Sequence, residues 1–215
     1  GAICCEATGD TRIYNCGING GTVSGGNYVG GIVGLLDGSS RVINCYSYAT
    51  IAGGSHVGGI VGYNNYETKA DDVQTMVMNC MFYGDITGGT YVSPVYGGKI
   101  ITNLSNNGLN TFNYYAYEKL KSKAIPNNKY NCALAVKDDY LNRFEFYRLL
   151  LNSNKKLAAI YATGSANDAN LMLKWVLETA DRQNTSPKPY PILKAQGKYP
   201  SIINPDFENA PYYTT

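Results

Sequence analysis

A ten-residue phrase written twice constrains this chain more than any other feature. Gly-Gly-Asn-Tyr-Val-Gly-Gly-Ile-Val-Gly at 25–34 returns as Gly-Gly-Ser-His-Val-Gly-Gly-Ile-Val-Gly at 53–62. A decayed copy, Gly-Gly-Thr-Tyr-Val-Ser-Pro-Val-Tyr-Gly, stands at 88–97. An Asn-Cys pair recurs at Asn15-Cys16, Asn44-Cys45 and Asn79-Cys80, at separations of 29 and then 35 residues. The longer interval holds a polar insertion around 64–72. Self-similarity at such a period marks an array of supersecondary units that bury their apolar faces only against one another.

Each repeat reads as three short strands separated by turns. They are 12–16, 22–24 and 28–33 in the first repeat, 41–46, 50–52 and 56–61 in the second, and 76–81, 85–87 and 91–96 in the third. Equivalent strands one repeat apart run the same way, so parallel sheets are expected. The usual hand of parallel crossovers makes the array right-handed. The expected fold class is therefore mainly β: a right-handed parallel β-helix, or solenoid, over residues 1–98, with a C-terminal mixed α/β capping unit. A closed β-prism or sandwich built from the same repeats is the alternative.

Alternation along the strands places Tyr14/Ile43/Met78, Cys16/Cys45/Cys80, Val23/Ile51/Ile86 and Val29/Val57/Val92 inward. The asparagines between the first two columns are set to form a side-chain ladder. Ser93-Pro94 replaces the second Gly pair of the phrase, and proline cannot donate to a ladder, so the array is expected to end there.

A shift of 29 lays Arg12 on Arg41 and Gly1-Ala2-Ile3 on Gly30-Gly31-Ile32, so the chain is expected to open inside a repeat, as an N-terminally truncated piece. Beyond residue 98, Gly thins out while Lys and Leu rise. Residues 99–203 are expected to form the α/β cap, covering strand edges that would otherwise invite aggregation. A helix is expected at 138–151, a strand or short helix at 171–177 around Trp175, and a turn at 187–191 leading into Ile192-Leu193. Residues 204–215 are polar and contain proline, as a linker or tail would.

Net charge is +2 with 16% charged residues, so no strong field draws nucleic acid or an anionic membrane. No apolar run approaches the roughly 18–20 residues of a spanning helix. Three of the six cysteines share one repeat phase. In-register residues on adjacent parallel strands lie about 4.8 Å apart and point the same way, which favours a ladder of buried thiols over a disulfide framework. No Cys-x-x-Cys pair or spaced histidine supports zinc.

Nothing in the chain assembles a reaction centre. The Gly-rich stretches lack the Lys-Ser/Thr of a phosphate cradle and serve more simply as turns. His56 is the only histidine and has no nucleophile or acid partner at a recurring site. Glu67 with Asp71-Asp72 lacks calcium-loop spacing, and Asp138-Asp139 suits a helix start. No catalytic residue, metal or cofactor is expected.

What remains is a column. Tyr28, His56 and Tyr91 share one phase and are expected to point outward together, with Tyr46, Tyr48, Tyr63 and Tyr66 in the second repeat and its exit loop. Such rows suit sugar rings or a partner's apolar side chains. The competing account is stacking between strands that does no more than hold the sheet.

The phrase Gly-Gly-x-x-Val-Gly-Gly-Ile-Val-Gly, with Ile/Val-x-Asn-Cys-Tyr between its copies, resembles the GLUG repeat of bacterial surface and secreted proteins. The downstream pattern of Phe146-Tyr147, Trp175 and Tyr190-Pro191-Ile192-Leu193 is similar to the segment that succeeds these repeats in Bacteroides-type surface proteins. The resemblance implies an extracellular or cell-surface protein, lipid-anchored outside this stretch, with an adhesive or scaffold role and no catalytic residue. A host glycan or surface protein and further domains of the same longer chain are the implied partners. A polysaccharide lyase or glycosidase on the same fold is the alternative. It would need paired carboxylates on one face, where the outward columns instead carry Tyr, Ser, Thr and Asn.

Overall fold

The computed structural model describes residues 1–65, 75–97, 113–116, 133–136, 175–176 and 192–193. These residues are mainly β, and none of them is helical. Strand β1 (Cys4–Ala7) precedes three repeats. The first holds β2 (Arg12–Tyr14), β3 (Gly17–Ile18), β4 (Thr22–Ser24), β5 (Asn27–Gly30) and β6 (Val33–Leu36). The second holds β7 (Arg41–Ile43), β8 (Tyr46–Ser47), β9 (Thr50–Ala52), β10 (Ser55–Gly58) and β11 (Val61–Asn64). The third holds β12 (Met76–Met78), β13 (Met81–Phe82), β14 (Ile86–Thr87) and β15 (Thr90–Ser93), and then a single parallel bridge joins Val61 to Tyr96.

Equivalent strands of successive repeats pair parallel and in register. Arg12 pairs with Arg41 and Arg41 with Met76; Val29 pairs with Val57 and Val57 with Val92. The five sheets that result contain every described strand up to β15.

The first two repeats contain five strands each, and the third four strands and a bridge, where three were expected. Asn15, Asn44 and Asn79 adopt left-handed backbone at φ 58, 57 and 52° and break the first expected strand in two. Asn takes this conformation more readily than most side chains. The break interrupts the alternation, and the inward assignment shifts by one residue before it. Ile13, Val42 and Val77 enter the core cluster, whereas Ile43 and Met78 are buried outside that cluster and Tyr14 is half-buried. The Val23/Ile51/Ile86 and Val29/Val57/Val92 columns do face the core, as do Cys45 and Cys80.

The last expected strand is divided at Gly31-Ile32 in the first repeat, Gly59-Ile60 in the second and Pro94-Val95 in the third. A Cβ on Gly59 would enter the Phe82 ring and the carbonyl of Pro94, so the chain there runs too close to its neighbours for any side chain.

The asparagines form the expected ladder. Asn44 Nδ2 donates to Asn15 Oδ1 at 2.7 Å, and Asn79 Nδ2 donates to Asn44 Oδ1 at 2.8 Å. Asn44 and Asn79 are fully buried, and buried amides require such partners.

The array does not stop at Ser93-Pro94. β16 (Asn113–Ala116) pairs parallel with β13, and β17 (Ala133–Val136) pairs parallel with β16, making one sheet five strands wide. Asn113 closes the core over Cys80: its Oδ1 accepts from the Cys80 amide at 3.0 Å, and its Nδ2 donates to the Val77 carbonyl at 2.9 Å. A proline in one sheet leaves the ladder of another free to continue.

The expected α/β cap is not seen. The described part of 99–203 is strand alone, with β18 (Trp175–Val176) and β19 (Ile192–Leu193) forming an antiparallel pair. The helix expected at 138–151 lies outside the described residues.

Cys4, Cys5, Cys16, Cys45 and Cys80 are free thiols. Burial holds the Cys45 thiol far above its ordinary titration range; at Cys16 the hydrogen bond to Cys45, and then burial, act in the same direction. Thiols that stay protonated react slowly. Because Cys45 and Cys80 are buried, iodoacetamide on the native protein is expected to label exposed Cys5 first and to reach those two only after unfolding. Mass spectrometry of the digest checks this, and rapid native labelling of Cys45 would overturn the buried-ladder assignment.

Candidate functional site: an aromatic column

Tyr28, His56 and Tyr91 occupy the second position of β5, β10 and β15. The residues before them pair as Asn27–Ser55–Thr90 and those after as Val29–Val57–Val92, so the three are stacked in phase. All three have left-handed backbone, at φ 55, 54 and 52°. For an aromatic side chain this conformation costs roughly 1–2 kcal/mol per residue. Strained residues of this kind persist only where their surroundings hold them, and they cluster at functional sites.

The rings meet one another. His56 stacks on Tyr91 with centroids 4.6 Å apart and planes 21° apart, and lies 5.2 Å from Tyr28 at a 59° tilt. Tyr63 on β11 completes the group, stacked on Tyr28 at 5.1 Å and edge-on to His56 at 4.9 Å. Tyr28 and Tyr91 are nonetheless 43% and 47% exposed, two of the three large apolar residues this open among the described residues.

Ser55 Oγ lies 2.7 Å from His56 Nδ1. Burial lowers the His56 pKa from its ordinary 6.5. The folded protein therefore favours the neutral ring. The unfolded chain takes up the proton first, so stability contributed at this site is complete above about pH 6.5 and declines as pH falls below it. Thermal melts of wild type and His56→Asn across that range are expected to show a steeper acid loss in wild type; parallel profiles would remove His56 as the cause.

The other candidate residues divide. Tyr46 is buried, with 6% exposure, and so takes no part in an open face. Its ring fills the space beside Gly17, its hydroxyl donates to Asn19 Oδ1 at 2.9 Å, and Trp175 lies 6.1 Å from it. Tyr48 is half-buried and lies 5.1 Å from Tyr46 and 5.6 Å from Tyr83. Tyr66 lies outside the described residues. Sequence reasoning missed Tyr83, although it succeeds Tyr48 at the same 35-residue separation that divides Asn79 from Asn44. It also missed the neutral polar row Asn27–Ser55–Thr90 that runs beside the column.

Among the described residues no group of three or more His, Cys, Asp or Glu is placed to hold a metal ion. The ion pair of Arg12 with Asp10, at 3.0 Å, is exposed and lies away from the column on β2 and its preceding turn. The column presents exposed ring faces on Tyr28 and Tyr91, with exposed Asn27 and Thr90 beside them.

Residues 25–52 match the family model of the GLUG motif, a repeat associated with extracellular proteins. The match opens on Gly25-Gly26, includes Tyr28, and ends at the last residue of β9. No curated protein matches the chain, and no solved structure does.

Proposed function

We propose that this chain is a right-handed parallel β-solenoid acting as a non-enzymatic binding and scaffold module, secreted or displayed on a cell surface. In-register parallel pairing one repeat apart supports the solenoid, and the general hand of parallel crossovers supports its handedness. The GLUG match supports the extracellular setting. Repeat arrays present long regular faces suited to extended ligands or to spacing neighbouring domains.

The observation that carries the binding role is the column of exposed aromatics held in strained backbone. A residue kept only for stability would not be an aromatic at positive φ. Tyr91→Asn trades the strain, worth about 1–2 kcal/mol, against the lost ring stacking, worth about 0.5–1.5 kcal/mol. Its melting temperature is therefore expected to stay near that of wild type.

Arrays of glycans and of extracellular proteins test the role. The double substitution Tyr28→Ala with Tyr91→Ala is expected to lower binding by at least about tenfold, as loss of central aromatic contacts does. Unchanged binding would leave the module as a spacer. Cleavage of an arrayed polysaccharide, abolished by one Asp or Arg substitution, would replace this reading with an enzymatic one.

A further inference from the structure

We infer that the Tyr28–His56–Tyr91 column takes an uncharged linear glycan, with one sugar ring seated on Tyr28 and another on Tyr91. The inference rests on the binding role proposed above and names its ligand class. Four observations lead to it.

The first is which ring faces are available. Tyr91 gives one face to His56, and Tyr28 gives one face to Tyr63. Tyr91 meets no further ring among the described residues, Tyr28 has the tilted His56 ring beside it at 5.2 Å, and both side chains are nearly half exposed. A pyranose presents a flat patch of C–H groups that packs on such a face.

The second is the polar row. Asn27 and Thr90 are exposed and immediately precede the two tyrosines. An amide and a hydroxyl beside each ring supply donors and acceptors for sugar hydroxyls, in addition to the phenol groups. Ser55, in the middle, is already engaged with His56.

The third is charge. The strands β5, β10, β11 and β15 read NYVG, SHVG, VGYN and TYVS, with no Asp, Glu, Lys or Arg among them. Burial also favours the neutral form of His56. An anionic polysaccharide would find no cation on these strands.

The fourth is the missing apolar slot. A peptide partner anchored by aliphatic side chains needs a pocket, but Val29, Val57 and Val92, which flank the column, are only 4%, 0% and 8% exposed. What is open is aromatic surface and hydrogen-bonding groups.

The two seats stand two repeats apart, about twice the 4.8 Å strand spacing. One sugar cannot reach both; a chain of several sugars can. Binding should therefore depend on ligand length.

Titration calorimetry on the whole chain tests this with glucose, xylose and N-acetylglucosamine, with the tetrasaccharides of cellulose, xylan, chitin and amylose, and with tetragalacturonate. At least one neutral tetrasaccharide is expected to bind about tenfold or more tighter than its monosaccharide, and tetragalacturonate not at all. Tyr91→Asn is expected to abolish that gain while circular dichroism and melting temperature stay those of wild type. Failure of every neutral tetrasaccharide, or tighter binding of the galacturonate, would overturn the glycan assignment. If a protein partner's binding is instead lost in Tyr91→Asn, the glycan is wrong and the binding face stands. If no ligand of any kind responds to Tyr28→Ala or Tyr91→Asn, both fall together.

Discussion

Asn44→Ala is expected to be among the most damaging single substitutions in the repeats. It removes both ladder hydrogen bonds, the one given to Asn15 and the one received from Asn79. Each is worth about 1 kcal/mol net. It also places an alanine at φ 57°, where a Cβ without a polar side chain costs roughly 1–2 kcal/mol. The sum, about 3–4 kcal/mol, is a large share of the roughly 5–15 kcal/mol that holds a typical domain folded. Urea denaturation monitored by circular dichroism measures it.

Asn44→Gly separates the two contributions, because glycine accepts the backbone and loses only the bonds. It should therefore be milder than alanine. Equal losses for alanine and glycine would show that backbone strain contributes nothing there. Asn44→Asp should be as harmful as alanine despite its matching shape, since its carboxylate has no amide to donate to Asn15.

Gly62→Ala is expected to fail for a different reason. A Cβ on Gly62 has no room against the backbone of Tyr28 and Val29 and the carbonyl of Gly34. These are main-chain atoms of the preceding repeat, which cannot rotate aside. Overpacking a tight site commonly costs about 1–3 kcal/mol, and here the obstruction is rigid on three sides. The wedge also pushes on the residue whose strained backbone aims the Tyr28 ring, so binding should weaken together with stability. Gly26→Ala is the control, because nothing lies within 4 Å of its Cβ position. A Gly62→Ala protein as stable as that control would refute the close approach of these two repeats.

The period, the parallel pairing, the Asn ladder and most core columns were legible because in-phase residues one repeat apart touch directly. The division of each repeat into more than three strands was less so. It depends on Asn15, Asn44 and Asn79 taking left-handed backbone, and alternation rules assume that no such kink occurs. That kink moved Ile13, Val42 and Val77 into the core in place of their neighbours. The continuation through β16 was hidden because its sequence, Asn-Tyr-Tyr-Ala, repeats no earlier phrase. Its fit comes from Asn113 bonding to Cys80 and Val77, a tertiary match without local signature.

For the site, the shared phase of Tyr28, His56 and Tyr91 was readable from spacing alone. Their strained backbone was not, since aromatic residues avoid positive φ and nothing local announces it. Tyr46 was misplaced as a surface residue because its opposite number, Gly17, leaves the space that its ring fills.

The unequal repeat lengths have a consequence of their own. Val61 still pairs with Val33 at the end of the second repeat, and Met76 pairs with Arg41 at the start of the third, so the added residues all enter between β11 and β12. Lengthening a closed loop costs only about 0.6 kcal/mol per doubling. Growth at that corner is therefore nearly free, while growth anywhere within β5, β10 or β15 would throw the aromatic rings out of line. Such a chain can drift in outline along one rim and keep a fixed spacing on another. Peptides grafted between β11 and β12 should be carried without disturbing the column.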